Sequence, residues 1–190
     1  MEKTDYKRGG FFVDIGASDD VLLSNNWLLE NEFGWQGICA EPNPKFFDQL
    51  SKNRRCIVSS RYIGRKTGEQ TEFILAGAFS SSTEFAEIDF HKEKRRAYKN
   101  AGRFITLTAI SLDDFLEQHH APHDIDYMSI DTEGSEYSIL STFPFEKWNI
   151  RLLTVENNYT RQRDLIYELL SRHGYVRIER EWDDWYEKVK

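Results

Sequence analysis

The sequence is poor in cysteine. Cys39 and Cys56 are the only two in 190 residues, and neither has a partner at a C-x-x-C spacing, so a zinc site and a disulfide-stapled secreted framework are both disfavoured. Each thiol sits inside an apolar stretch and reads as buried and reduced. The chain also lacks long apolar runs. None approaches the roughly 20 residues that a helix needs to cross a bilayer, and Met1 to Gly10 is polar and charged, unlike a secretory leader. A cytoplasmic location is expected. Positive charge is in deficit: 25 Lys and Arg stand against 32 Asp and Glu, for a formal net charge of −7, which repels a polyanion. Nucleic acid is therefore not an expected partner.

What is present is an ordinary soluble composition, 39% hydrophobic and 14% aromatic, in a chain long enough for one domain over residues 1–190 and too short for two full ones. Phe11 to Ile15 is an apolar run ending at Gly16, and Asp20 can cap a helix whose apolar positions Leu23, Trp27, Leu28 and Phe33 follow helical spacing until Gly34. The unit then repeats, with a strand at Gly37 to Glu41 and a helix opened by Asn43-Pro44. Further strands are predicted at 56–58, 71–75, 106–110, 125–130, 152–155, 175–178 and 185–189. Helices are predicted from Ser111, at 135–142 and at 161–172. Residues 77–102 are Ser-rich, then basic, and read as a long excursion and candidate lid. Alternating strands and helices imply an α/β fold with a mostly parallel, doubly wound sheet covered on both faces. Because the first strand arrives as early as Phe11, the chain reads as a domain excised from a longer protein, such as one that also carries glycosyltransferase domains.

In such sheets ligands settle beyond the carboxyl ends of the strands, so the residues to inspect are those where strands stop. Asp14-Ile15-Gly16-Ala17-Ser18 follows the first strand. A dinucleotide pyrophosphate asks for G-x-G-x-x-G, but Ser18 and Val21 occupy the later glycine places, which weakens an NAD reading. Asp14 instead offers a carboxylate to a ligand bearing an ammonium and a sulfonium. Glu41 ends the second strand, where it can accept both hydrogen bonds of a ribose diol, and Pro42 turns the chain away. Together these favour S-adenosylmethionine over NAD.

Asp131-Thr132-Glu133-Gly134-Ser135-Glu136 puts three acids past the next strand. Glu136 reads as a helix-terminal acid favoured by the macrodipole, whereas Asp131 emerges into the crevice and reads as functional. Glu156 and Asn157 end the following strand. Asp131, Glu156 and Asn157 could hold a divalent cation such as Mg2+ or Mn2+, as similar groups do in catechol-type O-methyltransferases, or could only hydrogen-bond an acceptor. The run His91 to Arg96, with Lys99 and Arg103, reads as a solvated helix face. His119, His120 and His123 read as surface residues, and Trp182, Trp185 and Tyr186 as packing of the last strand before stacking on a substrate ring, although both are feasible.

Val13 to Ala17, Ser24-Asn25, Gly34 to Gly37 and Glu41-Pro42, then Ser111 to Phe115, Ile125 to Glu136 and Val155 to Tyr159, follow one another as do the blocks of the FkbM-type methyltransferases, and the chain resembles that family over nearly its whole length. The resemblance implies a class I, Rossmann-like methyltransferase fold. Its mostly parallel seven-stranded sheet would have the last strand antiparallel, with extra strands or a lid between the third and fourth parallel strands. It also implies S-adenosylmethionine as donor and O-methylation of a small-molecule or glycan acceptor, a sugar hydroxyl before a polyketide-type alcohol. Asp14, Gly16, Ala17 and Ser18 would line the donor, Ser24 and Asn25 would approach it from the first helix, and Glu41 with Pro42 would take the ribose. From their place at the strand ends rather than from the resemblance, Asp131 is the first candidate to activate the acceptor hydroxyl, through a direct hydrogen bond or a bound ion, with Glu133 and Glu156 as supporting groups. Asn157 departs from the family, many members having histidine there. A degenerate domain that binds a nucleoside without transferring methyl is the non-enzymatic alternative.

Overall fold

In a computed structural model of the chain, residues 2–19, 24–157 and 159–189 are described. The expected cap Asp20, with Val21 and Leu23, and Asn158 lie outside them. After a 3-10 turn at Glu2–Thr4 come β1 (Phe11–Ile15), α1 (Trp27–Phe33), β2 (Gln36–Ala40), α2 (Pro44–Asn53), β3 (Ile57–Ser59), β4 (Tyr62–Gly64), β5 (Gln70–Ile74) and β6 (Ser81–Ser82). The chain continues through α3 (Lys92–Asn100), β7 (Phe104–Ser111), α4 (Leu112–Gln118), β8 (Asp124–Ile130), α5 (Glu136–Leu140), β9 (Asn149–Glu156), α6 (Arg161–Arg172), β10 (Tyr175–Ile178) and β11 (Asp183–Lys188).

The main sheet has seven strands in the order β10-β11-β9-β8-β1-β2-β3. Strands β3, β2, β1, β8 and β9 run parallel, and β11 lies antiparallel between β9 and β10. The expected mostly parallel sheet with an antiparallel last strand is therefore present. Alternate residues of its central strands feed two cores. Val13, Ile15, Ile38, Met128, Ile130 and Leu153 pack with Phe115 of α4, Ile139 of α5 and Ile166 and Leu170 of α6. Phe12, Cys39, Tyr127 and Leu152 pack on the other face with Leu29 of α1 and Leu50 of α2. Burial on both faces explains why these strands are continuous apolar runs rather than alternating ones.

Helix ends follow local chemistry. The Asn43 side chain accepts from Lys45 N at 3.1 Å with Pro44 at the first helical position, and Ser111 accepts from Asp114 N at 3.1 Å. Gly34 stops α1 in the left-handed conformation, φ 67°. Helix α1 starts only at Trp27, so Ser24 and Asn25, expected on it, lie in the turn before it. The structure corrects that placement: Ser24 Oγ accepts from Trp27 N at 3.1 Å, a local bond that holds the chain in a turn.

Between β3 and β8 the chain builds a second, four-stranded sheet in the order β4-β7-β5-β6, with β4 parallel and β5 antiparallel to β7. Strand β4 is too short for its pattern to show, and 59–68 reads as loop in sequence. The excursion 77–102 holds β6 and α3, and it docks on the loop after β8. Ser81 Oγ donates to Glu133 O at 2.9 Å, and Phe85 Cβ would lie 3.2 Å from a Cβ added at Gly134.

Candidate active site

The chain order reverses between β1, which is followed by β2 and β3 on one side, and β8, which is followed by β9 on the other. A cleft of about 630 Å³ opens there, within the usual range for small-ligand pockets. Its walls include Asp14 to Ser18 after β1, Ser24 and Asn25, Glu41 and Pro42 after β2, Asp131 to Glu133 after β8, and Glu156 and Asn157 after β9. Every residue singled out in sequence as a donor, acceptor or metal contact thus faces one space.

At the β1–β2 end the polar groups have assigned partners. Asn26, fully buried, donates to Asp14 Oδ2 at 2.5 Å. Arg54 in turn donates to Asn26 Oδ1, to Ser24 Oγ at 3.0 Å and to Glu30 Oε2 at 2.5 Å. Glu30 is buried, and its second oxygen accepts from Arg55 N and from Cys56 N, the latter at 2.8 Å. Burial pushes the Asp14 carboxyl up to about 6, against the lowering effect of Asn26 and Arg54. Sequence reading missed Asn26, Glu30 and Arg54, because only the packing of α1 on the end of α2 turns two helix-surface charges into a buried pair.

Glu41 accepts from Ser18 N at 2.8 Å on one oxygen and from Asn43 N at 2.7 Å on the other, and burial lifts it to about 7. Each carboxylate oxygen retains a lone-pair site, so the side chain clamps the β1 turn and still has capacity for two further donors. Gly16, on the cleft wall, also has a packing reason to lack a side chain. At φ 83°, an added Cβ would fall 1.7 Å from Asp131 O, so the missing side chain lets the ends of β1 and β8 meet. The N–H groups of Gly16 and Ala17 are committed to Ala40 O at 2.9 and 3.2 Å.

The β8–β9 end is crowded with acids. Oxygens of Asp131, Glu133 and Glu156 lie within 4.8 Å of one another. Burial and the Glu133 carboxylate push Asp131 well above the usual carboxylate range, and burial and the Glu156 carboxylate push Glu133 up to about 9. Asp183, which sequence reading missed, faces the same cleft beside Glu156 in the β9–β11 register and is raised by burial and Asp184. The loop carrying Glu133 is strained at φ 57° and is held by Glu136, whose Oε1 accepts from Thr132 N at 2.8 Å, Thr132 Oγ1 at 2.8 Å and Gly134 N at 3.0 Å. Glu136 is at the first position of α5, as expected of a helix-terminal acid, and is in addition a buried structural staple.

The basic stretch is also corrected. Its Lys92, Lys94, Arg96 and Lys99 are exposed as expected, but Arg95 is fully buried. It pairs with Asp89 and, at 3.2 Å, with Glu133 Oε2, and its Nε donates to Ala86 O at 3.1 Å. One residue in a charged run faces inward because α3 lays that side on the acid cluster. Asn157 Nδ2 donates to Arg180 O at 3.0 Å, and its Oδ1 is buried with no hydrogen-bond partner among the described residues. Tyr186 is buried as expected, whereas Trp182 precedes β11 and is 71% exposed at the cleft. His119, His120 and His123 do not line the cleft.

A family model described as the methyltransferase FkbM domain matches residues 14–177. No curated protein and no solved structure matches the chain.

Proposed function

Since the chain belongs to the FkbM methyltransferase domain family, we propose that residues 1–190 form one S-adenosylmethionine-dependent O-methyltransferase domain whose acceptor is a sugar hydroxyl in a glycan or glycoside. The observation that carries this reading is the convergence of Asp14 and Glu41 with Asp131, Glu133 and Glu156 on one cleft at the switch point. The donor end fits the cofactor. Glu41 keeps acceptor capacity for a ribose diol, Asp14 brings negative charge to an ammonium, and Gly16, Ala17, Ser18, Ser24, Asn25 and Pro42 complete the wall.

When bound, S-adenosylmethionine supplies an electrophilic methyl on sulfur, which the acceptor oxygen takes as the C–S bond breaks and S-adenosylhomocysteine leaves. The chain orients the two reactants and excludes water, an effect that can reach about 7–11 kcal/mol. A sugar hydroxyl is a weak acid, so its proton must go to a base. Asp131 is assigned that role, because it leaves the end of β8 on the cleft wall and in its ionised form can accept the proton. Glu156, hydrogen-bonded to Asp131, favours its ionised form, and Glu133, whose N–H donates to Glu156 at 3.1 Å, holds that carboxylate in place. A sugar also suits the acid-lined floor, which offers acceptors to several hydroxyls.

A second reading adds a divalent cation. The clustered oxygens of Asp131, Glu133 and Glu156, with Asn157 on the wall of the same cleft, form an oxygen-rich set of the kind Mg2+ or Mn2+ takes, and such an ion would lower the acceptor hydroxyl's pKa. Incubation with isotopically labelled S-adenosylmethionine and a panel of glycosides, before and after chelation, tests both. Labelled glycoside that persists after chelation supports the metal-free route, and loss restored by Mg2+ or Mn2+ supports the second. Label on polyketide-type alcohols alone would replace the sugar, and uptake of donor without turnover on any acceptor would mark a non-catalytic binder.

A further inference from the structure

The two most exposed aromatic side chains among the described residues, Phe90 at 87% and Trp182 at 71%, both line the cleft. They come from unrelated parts of the chain, and each is presented by anchored neighbours. On the β10–β11 turn, three successive carbonyls are captured by the segment after β9: Asn157 Nδ2 donates to Arg180 O at 3.0 Å, Tyr159 Oη to Glu181 O, and Asn157 N to Trp182 O at 2.9 Å. The backbone of the turn is pinned while the Trp182 ring is left uncovered. In the excursion, Asp89 is buried, pairs with Arg95 and accepts from His91 N at 2.6 Å, and the His91 ring stacks on Phe79 at 3.8 Å. Phe90 therefore projects from between two fixed residues.

Large rings held on rigid backbone yet exposed to water at a cleft mouth are a binding feature, since a ring with no role in recognition would gain by folding inward. Asp131, Glu156 and Asp183 line the same cleft, and when ionised they only accept hydrogen bonds. A saccharide ring matches both surfaces: its axial C–H face covers an aromatic plane, and its hydroxyls donate to carboxylates at the edge. A planar aromatic alcohol would match the rings but leave most of the acids without donors.

We infer that Trp182 and Phe90 form the acceptor subsite of this cleft, gripping the apolar face of a saccharide and setting specificity without touching the donor. This rests on the sugar-hydroxyl reading above and adds the residues that select the sugar. The test loads the protein with S-adenosylhomocysteine and applies it to an array of immobilised oligosaccharides. The best-bound glycan is then titrated in solution against wild type, Trp182→Ala, Phe90→Ala, Trp182→Phe and Tyr6→Ala, the last an exposed aromatic away from the cleft. Trp182→Ala and Phe90→Ala are expected to weaken the glycan roughly tenfold each, Trp182→Phe to weaken it less, and Tyr6→Ala to leave it unchanged, all with wild-type S-adenosylhomocysteine affinity. Unchanged glycan affinity in both alanine variants would overturn the subsite while leaving the sugar acceptor standing. If no glycan binds the loaded protein, or only planar aromatic alcohols do, the saccharide assignment falls. The methyltransferase reading falls only if S-adenosylhomocysteine itself is not taken up.

Discussion

The two ends of the cleft handle buried carboxylates in opposite ways. At the β1–β2 end each acid has dedicated donors: Asn26 for Asp14, two backbone N–H groups for Glu41, and Arg54 with two backbone N–H groups for Glu30. At the β8–β9 end Asp131, Glu133 and Glu156 crowd one another and Asp131 bonds to Glu156; Glu133 N donates to Glu156 at 3.1 Å and Arg95 pairs with Glu133. The first arrangement is preorganised for one fixed ligand. The second leaves like charges in contact and is relieved by a proton or a cation. A site that binds the same donor each cycle but accepts a proton during chemistry needs this asymmetry.

The sharpest way to break the comparison is Asp131→Asn, which keeps the shape of the β8–β9 end and removes the proposed base. Turnover should fall about 10²–10⁴-fold while donor affinity stays near that of wild type. Equal losses in both would mean that the ends are not separable. Next in size is Arg95→Ala, which leaves Asp89 and Glu133 buried without their cation. A loss of about 3–5 kcal/mol is expected, seen as a melting temperature lower by roughly 6–20 °C. A melt unchanged within about 2 °C would show that the acid end does not need its arginine.

At the other end, Glu41→Gln should weaken S-adenosylmethionine roughly 10- to 100-fold in calorimetry, with a smaller effect on turnover at saturating donor. The smallest effect is on pH. Asp14 and Glu41 are raised to about 6 and about 7 in the folded chain, so between ordinary carboxylate values and pH 7 the native state holds protons that the unfolded chain releases. Stability of the ligand-free protein contributed by these two groups should therefore decline as pH rises through that window, while affinity for the cationic donor should increase over the same range. Melting curves and titrations at pH 5 to pH 8 check both signs, and parallel trends would contradict the assignment of these acids to the donor.

Most of the sheet was legible in the sequence because strands buried on both faces are continuous apolar runs, and α6 and β10 occur at the residues predicted for them. The exceptions share a cause. Strand β4 has three residues, too few for any period to register, and the turn at Ser24 to Asn26 is set by side-chain bonds rather than propensity. At the cleft, the strand-end acids could be found from topology, since a carboxylate at the end of a parallel strand has only one crevice to enter. Arg95, Arg54, Glu136 and Asp183 could not. Each looks in sequence like a solvated charge, and only tertiary packing decides that it faces inward. For Trp182 the packing reading, placed ahead of substrate stacking, fails for the converse reason: an aromatic beside a strand usually packs on it, and the bonds from Asn157 that hold its turn at the cleft come from a distant segment.

A calorimetric titration of the purified chain with S-adenosylmethionine, with NAD as the comparison, tests the proposed donor site most directly. Saturable binding of one equivalent, weakened by Glu41→Gln and unmatched by NAD, is the predicted result. A folded protein that takes up no S-adenosylmethionine, or that prefers NAD, would contradict it.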